Sequence, residues 1–107
     1  MKGEALRGHL DLLVLAALSD GDAHGYGIIE HIRERSQGEF DLAEGSVYPA
    51  LYRLEKSRLV ASEWTSEGGR RRRVYSLTAI GRLALSGESA RFERLVQGVR
   101  AVTGGAA

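Results

Sequence analysis

Leu59-Val60-Ala61-Ser62-Glu63-Trp64-Thr65-Ser66-Glu67-Gly68-Gly69-Arg70-Arg71-Arg72-Arg73-Val74-Tyr75-Ser76-Leu77 is the stretch that decides the fold. Val60, Trp64, Val74 and Tyr75 favour extended backbone, and Ser66-Glu67-Gly68-Gly69 is turn chemistry. The stretch therefore predicts a β-hairpin with strands over residues 59–65 and 72–77. Its second half opens on four consecutive arginines, Arg70, Arg71, Arg72 and Arg73. Like charges packed into a turn repel one another, so their natural partner is a polyanion, and in a strand alternate arginines point to opposite faces. Taken by itself, the run also fits a tip that is merely kept solvated.

Just before the hairpin, residues 46–57 read as a helix. Ser46 is a natural N-cap, and Pro49 belongs in a first turn, where its missing N–H has no intrahelical partner. Val47, Leu51 and Leu54 then point inward, which leaves Ser46, Tyr48, Tyr52, Arg53 and Lys56 on the remaining surface. That surface mixes hydroxyls, aromatic rings and cations. Arg53 has two readings: a pair with a guanine edge, or a bridge to Glu34 or Glu55.

Two more helices precede this one. Residues 4–18 carry Leu6, Leu10, Leu13 and Ala17 on one stripe and Leu12, Leu15 and Leu18 on another, one face for the core and one for a partner. Ser19-Asp20-Gly21-Asp22 ends that helix. Residues 25–36 place Ile28, Ile29 and Ile32 inward. Gly25, Tyr26 and Gly27 open this second helix. Its free N–H groups suit a phosphate, with Tyr26 beside them, although tight packing accounts for the glycines equally.

After the hairpin, Thr78 caps a last helix on which Phe92, Leu95, Val96, Val99 and Val102 fall close to one face. With no later element to cover that face, it calls for a second chain. Leu6, Leu10 and Leu13 of the first helix, with Phe92, Leu95, Val96 and Val99 of the last, are the expected dimer contacts. Gly87 and Gly98 soften this helix, each by about 1 kcal/mol relative to alanine, and residues 103–107 should fray.

The whole chain has 107 residues and a net charge of only +1, so nucleic-acid binding must rest on where charge is concentrated. The absence of cysteine excludes disulfides, thiolate metal sites and thiol catalysis. His9, His24 and His31 lack metal-ligand spacing, and no residue set has the spacing of a catalytic motif. We expect no enzyme activity, metal or cofactor. The apolar run over residues 12–18 is too short to span a membrane and lacks a cleavage site, which points to a buried helix in a cytoplasmic protein.

The order helix, helix, helix, hairpin, helix is that of a winged helix-turn-helix: an α+β, mostly helical fold with three helices, a two-stranded wing and a C-terminal dimerisation helix. We divide it into residues 1–78, the DNA-binding domain, and residues 79–107, the dimerisation helix and tail. Four blocks carry a closer likeness: Leu12-Leu13-Val14-Leu15-Ala16-Ala17-Leu18; Gly25-Tyr26-Gly27-Ile28; Gly45-Ser46-Val47-Tyr48-Pro49-Ala50-Leu51-Tyr52-Arg53-Leu54-Glu55; and Arg73-Val74-Tyr75-Ser76-Leu77-Thr78 followed by Gly81. In that order and spacing the chain resembles the PadR family of bacterial transcriptional regulators over residues 8–85.

The resemblance implies a homodimer joined through the first and last helices. It further implies binding to double-stranded DNA at an inverted-repeat operator, and repression relieved by a small-molecule effector. Tyr26, Ser46, Tyr48, Pro49, Tyr52, Arg53, Lys56 and residues 70–73 become the expected DNA contacts. Relatives that hold planar ligands between subunits carry an aromatic residue on the last helix, commonly tryptophan. Here that helix offers Phe92, and Trp64 lies in the wing instead. The alternative class is a winged-helix protein-interaction module whose arginines engage an acidic partner.

Overall fold

The computed structural model describes residues 1–3 and 5–105. Its elements are α1 (Leu10–Ser19), β1 (Ala23–His24), α2 (Gly25–Arg35), α3 (Glu44–Lys56), β2 (Val60–Glu67), β3 (Arg70–Leu77) and α4 (Ala79–Val102). The three strands form one antiparallel sheet in the order β1-β3-β2. The wing thus gains a third strand that the sequence did not reveal: Ala23 pairs with Tyr75 and His24 with Val74.

The core lies where α1, α2 and α3 meet the base of the sheet. Val14, Leu15 and Leu18 pack with Ile28, Ile32, Val47, Leu51, Val60 and Leu77. α1 is shorter than the apolar pattern suggested, beginning at Leu10; of the earlier residues, Glu4 lies outside the described part. The described residues before it instead form turns through the N–H groups of Ala5, Leu6 and His9, which donate to the carbonyls of Lys2, Gly3 and Leu6. Those turns drop Leu6 into the core. Such burial is worth roughly 1.5–3 kcal/mol, more than one further helical turn containing Gly8 would contribute.

α3 also begins earlier than expected. Its first residue is Glu44 and Ala43 is its N-cap, so Ser46 is the third helical residue and Pro49 lies in the second turn. Ser46 therefore does not cap the helix. The Ser46 and Val47 N–H groups both donate to the Ala43 carbonyl. Pro49 cannot donate to Gly45, but both residues are exposed, so water can serve the freed carbonyl. The other end is closed by Arg58 at φ 65°, with Arg58 N–H donating to the Glu55 carbonyl and Leu59 N–H to that of Leu54. This is the paired-bond stop usually given to glycine.

The hairpin is longer than predicted. β2 and β3 pair from Val60 with Leu77 out to Glu67 with Arg70, around a two-residue turn in which Gly68 and Gly69 both have positive φ. That turn twists with its strands. All four arginines therefore lie in β3.

Thr78 caps α4 as expected, accepting from Gly81 N–H at 2.9 Å and donating to the Arg58 carbonyl at 2.7 Å. Gly81 is obligatory there, because a Cβ would collide with the Leu59 carbonyl. Ala84 and Leu85 pack on the core. Beyond them, through residue 105, all residues but Glu88 and Val96 are exposed.

Candidate nucleic-acid interface

α3 presents Tyr48, Tyr52 and Lys56 at i, i+4, i+8, one exposed stripe. Tyr52 is 68% exposed, with the Lys56 ammonium 6.0 Å from its ring. Tyr48 leans instead toward the start of α2, where a Cβ on Gly25 would overlap its phenol. Gly25 has no positive φ to explain it, so the close packing of Tyr48 does. Ser46 is half-buried and Pro49 exposed. Arg53 pairs with neither Glu34 nor Glu55: its guanidinium grips Asp11 of α1 through two bonds of 3.2 Å.

The pleat of the wing sorts the arginines. Trp64 stands opposite Arg73 and Ser66 opposite Arg71, so Arg71, Arg73 and Trp64 share one face, while Arg70 and Arg72 share the other. The indole lies against two guanidiniums, 4.7 Å from that of Arg71 and 5.5 Å from that of Arg73. These contacts hold long side chains in place before any ligand arrives. Arg73 is also committed elsewhere, donating to Ser62 Oγ at 2.8 Å and pairing with Glu55 at 3.3 Å. Among the described residues Arg70, Arg71 and Arg72 have no carboxylate partner.

Between wing, α2 and α3 runs an open cleft of about 680 Å³, lined by His24, Tyr26, Tyr48, Trp64, the four arginines and Tyr75. Burial raises the Tyr75 phenol above its ordinary pKa. Tyr26, 57% exposed, stands at the cleft's α2 side. Of the expected DNA contacts, Tyr26, Tyr48 and the arginines meet in this one cleft, Tyr52 and Lys56 flank it beside Arg73, and Arg53 is turned toward α1.

Sequence reasoning missed His24 and the contacts of Trp64. His24 Nδ1 accepts from Gly27 N–H at 3.0 Å, capping α2, and its Nε2 lies 2.7 Å from Arg72 Nη1. Histidine lies outside the usual capping set of Ser, Thr, Asp, Asn and Gly, so the His24 cap needs the fold to show it, as the Trp64 contacts need the strand register.

A second exposed feature lies apart from the cleft. Phe92, Leu95, Val99 and Val102 are exposed on α4, Val96 is half-buried, and Phe92 meets His9 edge-on at 5.3 Å between ring centres. Leu6 and Leu10 are in the chain's own core, and Leu13 is half-buried.

An exposed reading helix joined to a cationic wing is the layout of a DNA-binding winged helix, and residues 14–87 match the family described as Transcriptional regulator PadR-like family. The chain belongs to that family. The PadR-like chain is 35% identical to Transcriptional regulator Rv3488 of Mycobacterium tuberculosis over 96 residues, covering 90% of this chain and 87% of that one. Among solved structures it resembles a transcriptional regulator from Clostridium thermocellum at TM-score 0.84 and 28% identity, covering 91% and 95% of the two chains. A PadR family transcription regulator from Clostridium difficile matches at TM-score 0.73 and 32% identity, over 90% and 98%. Members of this family are transcriptional regulators, not enzymes. Among the described residues no helix is long and apolar enough to cross a membrane.

Proposed function

We propose that this PadR-like regulator acts in the cytoplasm as a homodimeric repressor, with residues 79–107 joining the subunits and residues 1–78 reading DNA. The observation that carries the dimer is the row of exposed apolar side chains at Phe92, Leu95, Val99 and Val102 on a helix that extends past its own core. Such a row is costly in water and is covered by a second copy. Two-fold symmetry then sets two α3 helices on successive major grooves about 34 Å apart, on an inverted-repeat operator. In each half, Tyr48, Tyr52 and Lys56 face base edges while the wing arginines follow the phosphates. Bound dimer blocks polymerase. An effector acts by favouring a different spacing of the two α3 helices, and it must therefore bind the two states unequally.

Fluorescence anisotropy with labelled DNA from directly upstream of the protein's own gene tests the reading. Nanomolar binding that survives scrambled competitor supports it. Binding lost to competitor on every duplex selected from random DNA would reject it and favour a wing that engages an acidic protein.

A further inference from the structure

Both ring nitrogens of His24 face obligate donors. Nδ1 receives Gly27 N–H at 3.0 Å, and Nε2 lies 2.7 Å from the Arg72 guanidinium. A backbone amide can only donate, and so can arginine, yet a neutral imidazole offers one lone pair. One of the two contacts must therefore yield. Gly27 N–H is fixed by α2 and has no earlier carbonyl to serve it, whereas Arg72 is exposed and free to swing. The cap thus claims Nδ1 and leaves the proton on Nε2.

With that tautomer, Nε2–H points at the Arg72 guanidinium, donor against donor, in the wall of the wing cleft. In the free protein they oppose each other. Once Arg72 swings aside, an anionic oxygen can enter between them and accept from both, and Arg72 has no carboxylate partner to compete among the described residues. We infer that His24 and Arg72 together hold one phosphate of the DNA backbone, fixing the wing relative to the start of α2. The inference rests on the DNA-binding reading above. It makes His24 a phosphate contact that acts through a hydrogen bond, distinct from the arginines around it.

Two measurements test the pair. In the free protein at pH 8, ¹⁵N shifts of the His24 ring should report Nε2–H; a proton on Nδ1 would make the Arg72 contact an ordinary bond and overturn the inference. His24→Asn keeps a good capping oxygen for Gly27 but removes the Nε2 donor. It should weaken operator and random DNA alike by about tenfold with an unchanged salt slope, whereas Arg72→Gln should also flatten that slope by about one. Wild-type affinity in His24→Asn would overturn the inference even where DNA binding stands. Were the protein to bind no DNA, titration with inorganic phosphate would still decide: His24 ring shifts that respond, and fail to respond in Arg72→Gln, support an anion site, though for a small anion in place of DNA. Unmoved shifts would dismiss it.

Discussion

The phenol of Tyr48 fills the space that a side chain on Gly25 would need. The pair locks α3 to the start of α2, and Gly25 serves Tyr48 without any demand from its own backbone. Gly25→Ala should therefore act through Tyr48. We expect each of Gly25→Ala and Tyr48→Ala to lower operator affinity by about 1–2 kcal/mol, and the double variant to be little worse than Tyr48→Ala alone. Additive losses in an anisotropy cycle would separate the two residues.

Among the described residues Arg73 is the one wing arginine held by a carboxylate, Glu55 at 3.3 Å. If the wing arginines contact phosphate as proposed, Glu55 should restrain DNA binding. Glu55→Gln should release Arg73, raising affinity for random DNA severalfold and steepening the salt slope by up to one charge. By contrast, replacing all four wing arginines with glutamine should weaken operator and random DNA alike and flatten the slope. A salt titration of each variant decides; an unchanged slope in the quadruple variant would remove the wing from the interface.

Arg53 lies on α3 but grips Asp11 with both guanidinium arms. The pair is largely exposed, so Arg53→Ala should cost no more than about 1 kcal/mol of stability in urea. Base preference should survive. Selective loss of preference at one operator position would instead show that Arg53 leaves Asp11 to read that base.

Much of this arrangement was legible because it is local. The Gly68-Gly69 turn, the inward spacing of Val47, Leu51 and Leu54, and the Thr78 cap each depend on residues a few positions apart. What stayed hidden depends on tertiary contact. β1 is two residues long and exists only by pairing with β3. The Arg53 bridge spans 42 positions, and no spacing rule singles out Asp11 over Glu34 or Glu55. The start of α3 was misplaced because Pro49 was given its usual first-turn position, whereas an exposed Gly45 carbonyl lets it sit a turn deeper. Local rules read elements well and read partners poorly.

Asp20, just past α1, meets His31 of α2 at 2.7 Å, and that hydrogen bond lowers its pKa. A lowered folded pKa favours the carboxylate, so the contact stabilises the fold above the ordinary aspartate value of about 3.9 and fades as pH falls below it. Wild type should therefore melt above Asp20→Asn at neutral pH, and the gap should close below about pH 4. A gap that persists into strong acid would assign it to packing.

The exposed row on α4 predicts the assembly most directly. Val99 and Leu95 are about half exposed and one helical turn apart, and neither belongs to the buried core cluster. A charge at either position therefore leaves the folded chain intact while placing an unpaired ion in the middle of a subunit interface, which is strongly unfavourable. Val99→Glu should sediment as a folded monomer with an unchanged circular dichroism spectrum. Because two linked half-sites bind far more tightly than one, its operator affinity should fall by at least about a hundredfold, while binding to a single half-site changes little. A dimer that survives both Val99→Glu and Leu95→Glu would move the interface off this face of α4.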